Sequence, residues 1–102
     1  MTATRDDVIK RFADLAEMYQ RKADQYTPEG NPFANLDAIG DMTDLKSEFV
    51  LLTLMAKHIV CLYDSCVRSS PSPALVDELT GDIATYCAML AVMVRDQWAR
   101  EA

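Results

Sequence analysis

Two pairs of acidic residues have the spacing of groups that share one face of a helix. Asp44 and Glu48 are four residues apart, and so are Glu78 and Asp82. Side chains at positions i and i+4 lie on the same side of a helix. Glu48 and Asp82 fall on or beside apolar stripes, where an unpaired carboxylate is costly. The pattern predicts a Mg²⁺ site in which water and phosphate complete the octahedron, with these ligands: Asp44, Glu48, Glu78 and Asp82.

Such a metal would orient a water molecule for attack on a phosphoryl group and neutralise a pyrophosphate leaving group. The candidate catalytic residues are Glu48, Glu78 and Asp82. Ordinary structural explanations stay open. Asp44 in a first helical turn would favour the helix dipole, and Glu78 would face solvent. Asp82 would pair with Lys22 or Lys57 across the bundle.

Lys22 takes the place of an apolar residue in the stripe of the first predicted helix. The other stripe members recur every three or four residues: Val8, Phe12, Leu15, Tyr19 and Tyr26. A lysine there either snorkels to water or meets a phosphate or a carboxylate. The following segment, residues 27–35, is broken by Pro and Gly and carries Phe33 and Asn35. Phe33 either anchors this loop on the helices or offers a stacking surface for a base.

Three long helices position these residues. We expect them from about Arg5 to Gln25, from near Thr43 to about Val67, and from Pro73 to about Arg100. Capping signals precede them: Thr4 with Asp7, then Thr43, then Ser72 before a proline. A short helical turn is expected at Leu36–Ile39, ended by Gly40. With no convincing period-two pattern, the prediction is all-α: an antiparallel bundle of three main helices with a long loop after the first.

The second helix is apolar around most of its circumference, which is typical of a helix covered on several sides. A monomer of three helices cannot easily surround it. We therefore expect residues 1–102 to form one domain that assembles as a homodimer or a higher homo-oligomer, with second helices packed together.

Charge and composition exclude several classes. Lys and Arg number 10 against 16 Asp and Glu, a net charge of −6, which disfavours polymeric nucleic acid and anionic membrane surfaces. The longest apolar run, Phe49 to Met55, is too short to span a bilayer, and the charged N-terminus is unlike a signal peptide. We expect a cytoplasmic protein whose three cysteines are buried and reduced: Cys61, Cys66 and Cys87.

Four segments between about Phe12 and Val94 carry a family resemblance: Lys22-Ala-Asp-Gln-Tyr26, Asn31-Pro-Phe-Ala-Asn35, Met55-Ala-Lys-His58 and Glu78-Leu-Thr-Gly-Asp82-Ile-Ala-Thr-Tyr86. Together they resemble phage proteins of the nucleotide-modification-associated type. These are similar to the all-α nucleoside triphosphate pyrophosphatase superfamily, which includes MazG and dimeric dUTPases. The resemblance implies a nucleotide site formed by Lys22, Tyr26, Phe33, Asn35, Lys57 and Tyr86.

The resemblance further implies a Mg²⁺-dependent enzyme that cuts a nucleoside triphosphate to the monophosphate and pyrophosphate, in the host cytoplasm if phage-encoded. Hydrolytic members carry Glu-x-x-Glu and Glu-x-x-Asp, whereas both acidic spacings here are one residue longer. A second hypothesis is therefore a non-catalytic nucleotide binder, such as a phage sponge for a nucleotide signal or an accessory to nucleotide modification. The third is a helical oligomer that binds protein through a methionine-rich face, although methionines at helical spacing more often pack a core.

Overall fold

Four helices account for nearly all of the residues that the structure describes. The structure is a computed structural model that describes residues 2–26, 30–68 and 70–101. Its helices are α1 (Arg5–Tyr26), α2 (Ala34–Thr43), α3 (Ser47–Arg68) and α4 (Pro73–Glu101). The all-α prediction is confirmed over these ranges, with one helix more than the three main ones expected. Of the predicted loop after the first helix, residues 27–29 lie outside the description.

The chain divides into two units, which are described separately: Met1–Ala34 and Asn35–Ala102. The first unit contains α1, whose predicted cap is confirmed. The Thr4 amide donates to the Asp7 carboxylate at 2.7 Å, and the Asp7 amide donates to the Thr4 hydroxyl at 3.3 Å. This reciprocal pair satisfies amides that have no partner within the helix. Of the α1 stripe, Val8 and Phe12 are exposed.

α2 is longer than the single turn expected, and Gly40 lies buried inside it rather than ending it. The Leu45 amide donates to the Gly40 carbonyl at 3.0 Å. A Cβ at position 40 would lie 2.6 Å from the Leu45 carbonyl oxygen. The glycine is therefore explained by the close approach of the chain that follows the helix, and not by a helix stop.

The predicted start of the next helix at Thr43 is wrong. Thr43 is the last residue of α2, and its hydroxyl donates to the Ile39 carbonyl. Asp44 has a φ of 58°, the left-handed conformation that commonly follows a helix C-terminus. The Lys46 carbonyl accepts from the Phe49 and Val50 amides, and α3 begins at Ser47. Asp44 thus lies outside α3, which removes the helix-dipole explanation for its charge.

α4 begins as predicted, with Ser72 as its cap. The Leu75 amide donates to the Ser72 hydroxyl at 3.1 Å, and the Val76 amide donates to the Ser72 carbonyl at 3.1 Å. Pro73 then occupies the first helical position, where a missing N–H costs nothing.

The core of the single chain is small. Among the described residues its buried apolar members are Leu36, Val50, Leu51, Leu79 and Met93. Only Val50 and Leu51 of α3 are buried, so this helix is far from covered on several sides in one chain. The expected burial of the three cysteines is also wrong in the single chain, because all three thiols are free and exposed.

Of the described helices, α3 alone has a length and composition that would allow it to cross a bilayer. The continuous apolar run Phe49–Met55 is too short to span a bilayer, whereas the whole helix has 22 residues. A core helix of a soluble protein meets the same criteria. Lys57 near the middle of α3 would be costly in hydrocarbon.

Candidate functional site

α3 and α4 pack side by side in opposite directions. Side-chain contacts between them join His58 with Asp82, Met55 with Cys87, and Glu48 with Gln97. The residue number falls in α4 as it rises in α3, so the helices form an antiparallel pair. Helical spacing and burial define the packed stripes. That of α3 contains Leu51, Met55, His58 and Leu62, and that of α4 contains Leu79, Tyr86, Leu90, Met93 and Gln97.

A polar cluster interrupts these largely apolar stripes near the middle of the pair. The His58 Nε2 atom lies 3.1 Å from Asp82 Oδ2, and both side chains are largely buried. The ring of Tyr86 meets that of His58 edge-on, with 5.2 Å between centroids. Burial raises the pKa of the Tyr86 phenol above its usual value of about 10, and the Asp82 carboxylate raises it further.

His58 faces an acceptor at each ring nitrogen. Nδ1 lies 2.9 Å from the Leu54 carbonyl oxygen, while Nε2 faces the Asp82 carboxylate. A neutral imidazole donates from one nitrogen only. Which of the two contacts His58 makes as a donor therefore depends on its tautomer.

Three predicted site residues fall on one side of the α3–α4 pair. Helical periodicity places Lys57 about 120° from the packed stripe of α3, and Asp82 and Glu78 about 50° and 90° from that of α4. Viewed along each helix axis from its N-terminus, all three residues are displaced from the packed stripe in the direction opposite to the winding of the helix. Because the helices are antiparallel, these offsets point to the same side. We call this the polar side, and its charged residues include Lys57, Asp64, Glu78 and Asp82.

The other two predicted metal ligands lie elsewhere. Glu48 accepts a hydrogen bond of 2.7 Å from the Gln97 amide. It is ten residues before His58 in α3, so it lies about 15 Å along the helix axis from the level of Asp82. Asp44 is in the turn before α3. Within the described residues, no group of three or more His, Cys, Asp or Glu side chains is arranged to hold a metal ion.

The remaining predicted nucleotide contacts belong to the beginning of the chain. Lys22 is exposed on α1, and Phe33 is half-buried just before α2. The Phe33 amide donates to the Asn31 side chain at 2.9 Å, an arrangement that orders the start of α2. Asn35 is exposed in the first turn of α2. The Tyr26 side chain lies outside the described part of the chain.

Sequence reasoning missed His58 and Gln97. Lys57 was predicted to bind a nucleotide through the family resemblance, while its neighbour His58 was assigned no role. The signal was present, because His58 continues the spacing of Leu51, Met55 and Leu62. A titratable residue in an apolar stripe requires a partner from the opposite helix, and Asp82 supplies it.

Comparison of the chain with protein-family models, with curated proteins and with solved structures found no match. The family resemblance carried by the four short segments therefore stays a prediction.

Proposed function

We propose that the protein binds a nucleotide without hydrolysing it, on the polar side of the α3–α4 pair. The observation that carries this proposal is the largely buried His58–Asp82 pair, which opens onto the same side as Lys57. Two hydrogen-bonding polar side chains inside an apolar stripe are costly to bury for packing alone.

Each group on this side has a chemical role toward such a ligand. The exposed Lys57 ammonium is a point charge suited to a phosphate. The Asp82 carboxylate accepts hydrogen bonds from the amino groups of a base or from ribose hydroxyls. Tyr86 stays a predicted contact of the nucleotide, and its ring packs against that of His58 in an edge arrangement. Lys22, Tyr26, Phe33 and Asn35 stay additional predicted contacts from the sequence.

Binding is favoured over hydrolysis because the acidic residues do not converge in one chain. Mg²⁺ is commonly held by one or two carboxylates together with substrate phosphates. Glu78 and Asp82, one turn apart, would supply such a minimal set when a nucleotide is present. Glu48 is about 15 Å away along α3, so the four-carboxylate centre expected for the pyrophosphohydrolase is incomplete. Mg²⁺ therefore enters as a companion of the phosphates.

The test is a thermal-shift and calorimetry screen of the purified protein against nucleoside mono-, di- and triphosphates and cyclic dinucleotides. Each is tested with Mg²⁺ and with EDTA while pyrophosphate release is followed. We expect at least one nucleotide to raise the melting temperature without release. Lys57→Gln should weaken its binding by about tenfold, the loss expected for one phosphate contact.

Lys10→Gln is the matched control, since Lys10 is also an exposed helical lysine but lies outside the resemblance. Equal losses in both variants would reduce the effect to net charge and contradict a site at Lys57. Pyrophosphate release that disappears in Glu78→Gln and Asp82→Asn would establish the enzyme in place of the binder. A complete absence of nucleotide binding would overturn the proposal.

We further propose that the functional form is an oligomer. The small core and the exposed large apolar residues of α3 support this, because several such side chains on one helix are rarely left in water. Assembly also supports the second candidate function, a helical interaction protein. That candidate predicts a stable oligomer with no nucleotide response.

A further inference from the structure

We infer that a second copy of the chain packs on one particular surface of the α3–α4 pair, so that two pairs form a four-helix core. The inference rests on the oligomer proposed above. The surface lies opposite the polar side. We call it the apolar side. Its large members are Phe49, Leu52, Ile59, Tyr63, Val94 and Trp98.

α3 carries a second apolar stripe besides the one packed on α4. Phe49, Leu52, Ala56, Ile59, Tyr63 and Cys66 follow each other at spacings of three and four residues. This is the repeat with which one helix packs along another. The stripe is exposed in the single chain, with Phe49 55% and Tyr63 67% exposed. It lies about 110° from the packed stripe, close to the angle between two neighbours in a bundle.

α4 has the matching feature. Thr80, Ala84, Cys87, Ala91, Val94 and Trp98 recur at the same spacings, again about 110° from the packed stripe of α4. The small residues allow close approach of another helix, and Trp98 is 73% exposed. Both helices of the pair therefore have an unfilled position for one more neighbour.

The two exposed stripes form one surface. In each helix the second stripe is displaced from the packed stripe by about 110° about the helix axis, in the direction in which the helix winds from N- to C-terminus. Because the helices are antiparallel, equal offsets in this direction point to the same side of the pair. The 3.9 Å contact between the sulfurs of Met55 and Cys87 agrees, since both residues lie at the edge of their packed stripes toward this side.

The size and charge of the surface fit a second copy. Its six large side chains together expose on the order of 600 Å² of largely apolar area. A standard interface buries about 800 Å² per partner, of which roughly 60% is apolar. The stripes on this side contain no charged residue, so a twofold partner presenting the same surface meets no like charge. Identical surfaces that meet about a twofold axis are the commonest interface between copies.

The first test measures the mass of the full-length protein by light scattering at micromolar concentration, with circular dichroism to verify helix content. We expect a dimer, and Ile59→Glu should weaken it at least a hundredfold. Val92→Glu is the matched control, because Val92 is 51% exposed against 48% for Ile59 but lies on the opposite side of the pair. The control should remain dimeric.

The second test needs no substitution. Cys66 and Cys87 lie on the apolar side, Cys61 lies toward the polar side, and all three are exposed in the single chain. Maleimide labelling followed by mass spectrometry should modify Cys61 fastest in the dimer. In Ile59→Glu the three rates should converge.

A monomeric wild-type protein would overturn the proposal, and rapid labelling of Cys66 and Cys87 would agree with that outcome. A monomer with these thiols protected would assign the surface to another part of the same chain, such as α1. Co-sedimentation with phosphatidylcholine vesicles would assign it to a bilayer. Dimerisation of Lys57→Gln separates this test from the nucleotide proposal, because that variant should lose binding and keep the dimer.

Discussion

The polar and apolar sides of the α3–α4 pair differ although the same two helices form them. The polar side carries Lys57, Asp64, Glu78 and Asp82, while the apolar side has a continuous surface of aliphatic and aromatic residues. The difference arises only from the angular positions of the residues around the two helix axes. A pair of helices thus separates a surface suited to small charged ligands from a surface suited to its own copy, which allows one property to change without the other.

The largest effect is expected between the two sides, at the packed stripe. Leu51 is fully buried, so Leu51→Ala should lower the free energy of unfolding by about 3 kcal/mol through lost burial and a residual cavity. Urea denaturation measures this change. It should be seen at every protein concentration.

Leu52→Ala is the matched substitution on the apolar side, one residue further along α3. Its effect should depend on protein concentration, since Leu52 is 42% exposed in the single chain and becomes fully covered only when copies pair. A concentration-independent loss equal to that of Leu51→Ala would mean that the single chain already buries both residues.

A smaller effect is expected at the edge of the polar side. The His58–Asp82 pair is largely but not fully buried, and water screens part of the attraction. A double-mutant cycle with His58→Gln and Asp82→Asn should give a coupling energy of about 1 kcal/mol in urea denaturation. Additive effects of the two substitutions would show that the pair contributes nothing to stability and would leave ligand binding as its only role.

The smallest effect concerns Tyr86. Burial, and then Asp82, raise the pKa of its phenol above 10, so folding favours the neutral form. Stability is complete below about pH 10 and falls as pH rises further, because the unfolded chain releases this proton first. Tyr86→Phe should reduce the alkaline loss of stability followed by circular dichroism.

Local signals predicted the helices better than they predicted the site. Thr4 with Asp7, and Ser72 before Pro73, identified two helix starts correctly because a cap depends on neighbouring residues only. Thr43 misled for the same reason, since a hydroxyl near a helix end fits a start or a finish. Gly40 misled because its cause, the backbone of Leu45, lies outside its helix.

The acidic site depended on a relation that no local spacing contains. Glu48 and Asp82 were expected to converge because each lies near the apolar stripe of its own helix. Which residues meet is set by how far the two helices slide along each other, and that register pairs His58 with Asp82 and Gln97 with Glu48. The polar side could be derived from the sequence only in part, because Lys57, Glu78 and Asp82 were named without their common orientation.

Asp44 illustrates how a charged residue can be selected for a torsion angle. Its backbone has a φ of 58°, which short polar residues such as Asp and Asn adopt at little cost and branched ones such as Val and Ile resist. Exchange of Asp44 for Asn or Gly would therefore preserve the reversal between α2 and α3 while removing the charge. At this position an acidic residue is sufficient for the turn but not required by it. Substitution among Asp, Asn and Gly in related chains would therefore give no evidence about metal binding.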